Sequence, residues 1–346
     1  MRGMVAGWGS SGAVDGGGPL THPCAVRVSG LRLVLALAAL MLLAGGCAGG
    51  GGSSGVTVET VTPAAEETPP PAVGVATAEV AIVPPELIVS VVEVPQGGAV
   101  LVSVTGSVEE GRVVFLGQRY PLTQGDFSMY SYVGIGVFDA PGTHTMLVQL
   151  TMVNGTEGSF EHEITITESV WDVAHLYYEE GAGDPVLDQA ERDRENALLA
   201  DTYAVVTPQK LWEGRWRSPS GGQISSQFGE RRSFNDGPVG GNHGGTDFAA
   251  PEGAPVTATN SGRVALARQL ALRGNTVIID HGGGVFSGYA HLSAFAVAEG
   301  QEVQKGQLIG FVGDSGLSTA PHLHWEISIH GVLVDPMRFV DGRNGF

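Results

Sequence analysis

The chain has 346 residues, 18 Lys and Arg against 36 Asp and Glu, a net charge of −18 and two cysteines. The acidity excludes the basic face that a phosphate backbone requires, so nucleic acid is not an expected partner. Two cysteines exclude a disulfide-dense scaffold, and a hydrophobic fraction of 42% excludes wholesale disorder. The charge is uneven: residues 1–210 carry 8 basic and 24 acidic side chains, whereas residues 211–346 carry 10 and 12. The length suits about two domains, and the near-neutral C-terminal part is where chemistry is expected.

Arg27 and Arg32 precede the apolar run 33–43, which is followed by Ala44, Gly45, Gly46 and Cys47. Basic residues, a short apolar core and small residues describe an export signal. The run is too short to span a bilayer, which takes roughly 20 residues. Small residues directly before a cysteine resemble the lipobox of bacterial lipoproteins, with Ala44 where Leu is usual. That resemblance implies removal of residues 1–46 and a diacylglycerol on Cys47. The protein would then be exported and lipid-anchored on the outer side of the cytoplasmic membrane, facing the cell wall. Residues 47–85 begin with a Gly/Ser run and continue with the Pro-rich stretch around Thr68. They read as a flexible tether reaching on the order of 110 Å at about 3.1 Å per residue.

Residues 86–169 favour β-branched side chains in short alternating runs: 87–94, 99–104, 112–115, 132–138, 143–151 and 160–167. Turn pairs such as Gln96-Gly97, Pro141-Gly142 and Asn154-Gly155 separate them. This pattern predicts a small β-sandwich of immunoglobulin-like type. No cluster of ligand-type residues occurs there, and His144 and His162 read as ordinary strand residues. Residues 170–211 read as a short helical connector. Its segment 188–202 is rich in helix formers of mixed charge, as expected of a solvated spacer on the surface. From Trp212 onward, glycine-rich turns and short strands return, so the chain is mainly β overall.

Six of the ten histidines follow residue 240. Ligand-type residues gather in three places: His243-Gly-Gly-Thr-Asp247, Tyr289-Ala-His291-Leu292 and Pro321-His322-Leu-His324-Trp-Glu326. In a strand, positions i and i+2 share a face. His322, His324 and Glu326 therefore point one way, and Leu323, Trp325 and Ile327 the other, toward a core. Paired histidines that would repel each other's protons suit a metal ion. Catalytic zinc takes three protein ligands and leaves one position open. His243, Asp247 and one of His322 and His324 supply such a set, with the remaining histidines free for proton transfer or charge stabilisation. The helical signature His-Glu-x-x-His is absent.

The segment from about Trp216 to Val340 resembles the lysostaphin/LytM-type zinc metallopeptidases. The resemblance rests on residues 219–232 (PSGGQISSQFGERR), 243–251, 256–264, 274–281, 289–292, 306–313 and 321–326. It implies an antiparallel-β metallopeptidase domain over residues 212–346, holding one Zn2+ by His243, Asp247 and His324. His291 and His322 would be the catalytic pair. The implied activity is hydrolysis of peptide bonds in peptidoglycan stems or cross-bridges. Some relatives have lost ligands and act as non-catalytic activators of wall hydrolases; all five key positions are present here. His281 and His330 have no place in this pattern and read as surface histidines.

Overall fold

The computed structural model describes residues 81–177, 189–344 and 346. The apolar run 33–43, Cys47 and the tether up to residue 80 lie outside the described residues, as do residues 178–188 of the connector. Among the described residues, no helix is long and apolar enough to cross a membrane.

The first nine strands are β1 (Glu86–Val89), β2 (Glu93–Pro95), β3 (Ala99–Thr105), β4 (Val108–Phe115), β5 (Gln118–Pro121), β6 (Thr123–Gln124), β7 (Met129–Gly134), β8 (Gly142–Met152) and β9 (Glu157–Thr167). They form two sheets, ordered β1-β3-β7-β6 and β2-β9-β8-β4-β5. Alternation decides their inner faces. Val100, Val102 and Val104 of β3 point into a core shared with Val113, Phe115, Met146, Val148, Ile164 and Ile166 of the other sheet. The expected run 87–94 is two strands, because the chain changes sheets within it: β1 pairs with β3, and β2 pairs in parallel with β9. The expected strand 132–138 lies earlier, at Met129–Gly134, where its register against β3 (Val104 opposite Met129, Ala99 opposite Gly134) places it.

The connector differs from expectation. It contains the strand β10 (Val173–Leu176) as well as the helix α1 (Gln189–Tyr203). The helix is not a solvated spacer, since Glu195, Leu199 and Tyr203 are buried. Leu199 and Tyr203 pack with Leu266, Leu270, Ile278 and Phe286. Mixed charge along a short helix masked the single apolar stripe that docks it.

The remaining elements are β11 (Gln223–Ser226), β12 (Arg231–Phe234), β13 (Gly240–Asn242), β14 (Thr246–Ala249), β15 (Pro255–Thr257), β16 (Gly262–Leu270), β17 (Gly274–Asp280), β18 (Val285–Phe295), β19 (Glu302–Val303), β20 (Leu308–Val312), β21 (His322–Ile329), β22 (Val332–Val334) and α2 (Met337–Val340). Ten of these strands make one sheet with the path β11-β14-β21-β18-β17-β16-β19. Strand β10 joins β12 and β13 in a separate three-stranded sheet, pairing with β12 in parallel.

The sandwich does not stand apart from the C-terminal sheet. Ala99, Tyr130 and Tyr132 share a core with Trp212, Trp216, Ile329, Val334 and Phe339. The ring of Tyr132 lies 5.9 Å from Trp212 and 5.0 Å from Phe346. The backbone N–H of Asp335 donates to Gly97 O at 2.8 Å.

Candidate functional site

Strand pairing assembles the site. On β14 and β21, Asp247 stands opposite His324. Strand β18 lies on the other side of β21, with Ala290 opposite His324, which brings His291 alongside. His243 sits just before β14, its backbone N–H donating to Glu230 O at 2.8 Å. Leu323, Trp325 and Ile327 are fully buried behind β21, as their alternation with the histidines requires.

Three atoms converge. His243 Nε2 lies 3.0 Å from His324 Nδ1 and 3.0 Å from Asp247 Oδ1, and His324 Nδ1 lies 2.8 Å from Asp247 Oδ1. The far nitrogen of each ring is already engaged. His243 Nδ1 faces Gln227 O at 2.9 Å and Ser226 Oγ at 3.0 Å. His324 Nε2 faces Glu326 Oε2 at 3.3 Å. With both far nitrogens as N–H donors, the near nitrogens face the carboxylate oxygen, and three such atoms within 3.0 Å of one another need a proton or a metal ion between them. Tetrahedral zinc with bonds of about 2.0–2.1 Å sets its ligands roughly 3.3 Å apart, so this triangle fits a metal ion with a slight expansion. Pinning of the far nitrogen of each histidine is the support that metal-binding imidazoles use. His243, Asp247 and His324 can therefore hold a metal, and they are grouped so in the structure.

The charge state agrees with a cation site. Asp247 titrates far below the carboxylate range: burial opposes this, but hydrogen bonds from His243 and His324 outweigh it. For His324, burial favours the neutral ring, yet the bonds to Asp247 and Glu326 raise its pKa to about 9. Burial pushes His243 down. Arg232 Nη2 lies 3.2 Å from Asp247 Oδ2, the oxygen turned away from the histidines.

His291 and His322 stand beside the triangle, with ring centroids 4.7 Å apart. His291 Nδ1 donates to Ser315 O at 2.8 Å, and His322 Nδ1 faces Ala320 O at 2.8 Å. His322 Nε2 is 4.0 Å from Asp247 Oδ1, so it points into the site. His291 has φ +61°, a left-handed conformation that costs a non-glycine residue of order 1–3 kcal/mol and persists only where surroundings impose it. Here its N–H is held by Arg273 O at 2.8 Å. Burial, with the charge of His324 second, lowers the pKa of His291 to about 3, so its ring is neutral. Asp247, His291, His322 and His324 open on a cleft of about 370 Å³, lined also by Ser226, Arg232 and Ser318. The structure thus brings together all five residues singled out in the sequence, and Cys47 lies outside the described residues.

Two histidines depart from expectation. His281 is fully buried, with Nδ1 on Ser261 O and Nε2 on Ser287 Oγ, both at 2.7 Å. His330 packs edge-on against Tyr120 of the sandwich at 5.5 Å. Both lie where strands meet a covering layer, which their flanking glycines concealed. Conversely, Arg232, Arg273, Glu195 and Tyr203 support the site although no ligand-type cluster in the sequence contains them. The first two sit in glycine-rich loops or at strand ends, and the last two on α1, where no local pattern marks them.

Residues 241–336 match peptidase family M23. The DD-carboxypeptidase/endopeptidase Mpg of Neisseria meningitidis is 50% identical over 95 residues, 28% of this chain and 22% of its own. The peptidoglycan DD-endopeptidase ShyA of Vibrio cholerae is 40% identical over 126 residues, 36% of this chain and 28% of its own. The murein hydrolase activator NlpD of Salmonella dublin is 39% identical over 150 residues, 43% of this chain and 35% of its own. The chain thus covers about a third or less of the length of these curated relatives. A crystal structure of a Pseudomonas aeruginosa protein described as peptidase M23 has a TM-score of 0.55 at 26% identity, covering 72% of this chain and 95% of its own. The segment 241–336, which contains His243, Asp247, His291, His322 and His324, is thus the part of the chain that matches peptidase family M23.

Proposed function

We propose that this chain is a zinc-dependent endopeptidase that hydrolyses peptide bonds in peptidoglycan stems or cross-bridges. The observation that carries the reading is the converging triangle of His243 Nε2, Asp247 Oδ1 and His324 Nδ1 beside His291 and His322, which line an open cleft. One zinc held there by His243, Asp247 and His324 would supply Lewis-acid polarisation of a substrate carbonyl and acidification of a water.

The chain's own residues do the rest. His291 and His322, each held by a carbonyl at Nδ1, turn Nε2 into the cleft. One accepts a proton from the attacking water at Nε2 and, so protonated, passes it to the leaving amine; the other, when protonated, donates its Nε2–H to the charge on the carbonyl oxygen. Because His291 is neutral, it is available as the acceptor at neutral pH. The buried strands β18 and β21 fix these rings, which matters because misplacement by about 1 Å costs on the order of a hundredfold in rate.

The order β1-β3-β7-β6 and β2-β9-β8-β4-β5 supports reading residues 86–169 as an immunoglobulin-like module. The lipobox-like stretch supports export, lipid on Cys47 and a place on the outer side of the cytoplasmic membrane. The similarity to NlpD favours a second reading, a non-catalytic activator of wall hydrolases; the complete set of five residues argues for the enzyme. Mass spectrometry of muropeptides after incubation of cell walls with the zinc-loaded chain decides. Cleaved cross-links support the peptidase, whereas intact walls with zinc bound support the activator.

A further inference from the structure

Helix α1 lies outside the matched segment, yet two of its buried side chains bond to residues that support the site. Tyr203 Oη donates to Glu326 Oε1 at 2.6 Å. Glu195 accepts from the backbone N–H groups of Leu272 (2.7 Å) and Arg273 (3.2 Å) and from the Arg273 guanidinium (3.4 Å). The turn so held has three connections. Arg273 Nη2 donates to Glu326 Oε2 at 3.0 Å, and the same oxygen faces His324 Nε2 at 3.3 Å. Arg273 O accepts from the N–H of His291 at 2.8 Å, and Leu272 O accepts from the N–H of Leu317 at 2.7 Å, on the loop that leads to His322.

Glu326 is 2% exposed and Glu195 4% exposed. Two buried carboxylates are costly unless paired and hydrogen-bonded. Glu195 and Glu326 share a single guanidinium, and Tyr203 supplies the further donor for Glu326. Without Tyr203 and Glu195, Glu326 would keep only Arg273 and His324, and Arg273 would lose its own anchor.

We infer that α1 is a positioning element of the metal centre: Tyr203 and Glu195, through Glu326 and the Leu272–Arg273 turn, orient His324 as a ligand and hold His291 in its left-handed conformation. Neither is a catalytic residue, since neither touches the cleft. The inference rests on the zinc peptidase reading and extends it to a helix that local sequence marks only as a connector.

The test uses the full chain with Tyr203→Phe and Glu195→Gln. Tyr203→Phe keeps the ring that packs on Phe286 at 5.4 Å and removes only the hydroxyl. Zinc release to a chromogenic chelator is followed together with melting of the metal-free protein. Removing support from a metal-binding histidine weakens metal affinity about 10- to 100-fold, so each variant should bind zinc at least about tenfold more weakly. Melting of metal-free Tyr203→Phe should stay near that of the wild type, and kcat should fall more than KM changes. Tyr203→Phe combined with Glu326→Gln should be little worse than Glu326→Gln alone, because both act through one carboxylate. A Tyr203→Phe protein that holds zinc like the wild type overturns the inference, as does lowered melting with unchanged zinc affinity. A wild-type chain that takes up no zinc overturns the peptidase reading itself.

Discussion

Asp247 and His324 face each other directly across β14 and β21, with Oδ1 and Nδ1 2.8 Å apart. A strand register therefore fixes the separation of two of the three proposed ligands, and only His243 depends on a loop. Replacing any of the three with alanine should abolish stoichiometric zinc binding, whereas His291→Ala should keep zinc and lose turnover by 10²-fold or more, as expected for a proton-transfer group. Metal analysis alongside cell-wall cleavage checks both halves; a His243→Ala protein with one tightly held zinc would refute the ligand set.

In the metal-free chain, His324 titrates at about 9 because Asp247 and Glu326 flank it. At neutral pH its ring carries the proton that a metal must displace. Apparent zinc affinity should rise about tenfold per pH unit between about pH 6.5 and 8.5 and level off near pH 9, from release of one proton. Competition with a chelator of known pH dependence measures the slope, and a flat profile would mean that the metal-free ring is neutral.

Gly245 tests how tightly the strand pair is drawn. A Cβ added there would collide with Trp325 O and lie 2.9 Å from the His324 ring. Backbone cannot yield to such a contact cheaply, so Gly245→Ala should push β21 away and weaken zinc binding by at least about tenfold, comparable to loss of an outer-shell support. Unaltered zinc affinity in a folded Gly245→Ala protein would show that the β14–β21 pair has slack.

Much of the site was legible because strand period is strict. His322, His324 and Glu326 had to share a face once Leu323, Trp325 and Ile327 were buried, and the ligand-type residues fell in three short clusters. The assignment of His324 over His322 came only from family resemblance, since alternation places both on one side. What the sequence concealed was long-range. Tyr203 and Glu326 are 123 residues apart, and nothing near either reports the other. The docking of α1 and the joining of the sandwich to the C-terminal sheet through Tyr132 and Trp212 likewise depend on which faces meet, which local period does not encode.

That junction yields a stability prediction. Tyr132 is 3% exposed and sits between Trp212 and Phe346. Truncating a buried aromatic ring to alanine costs about 3–5 kcal/mol. Tyr132→Ala should lower the unfolding free energy of the full chain by about that amount in urea titrations read by tryptophan fluorescence, since Trp212 reports the same contact. A loss below about 1 kcal/mol would mean that the two layers are held elsewhere.

His281 adds a pH dependence of folding that is independent of the metal. Its ring is fully buried between Ser261 O and Ser287 Oγ, and burial lowers its pKa to about 4. An unfolded histidine titrates near 6.5. Because the folded value is the lower one, the unfolded chain binds the extra proton. The stability associated with this ring is fully present above about pH 6.5 and declines as pH falls toward about 4, by up to about 1.4 kcal/mol per pH unit. Urea midpoints of the metal-free chain at pH 7, 6 and 5 should therefore drop steadily. In His281→Gln, which keeps polar contacts but does not titrate, the same midpoints should drop less steeply even if the variant starts out less stable. Parallel pH profiles for the two proteins would show that His281 takes no part in acid unfolding.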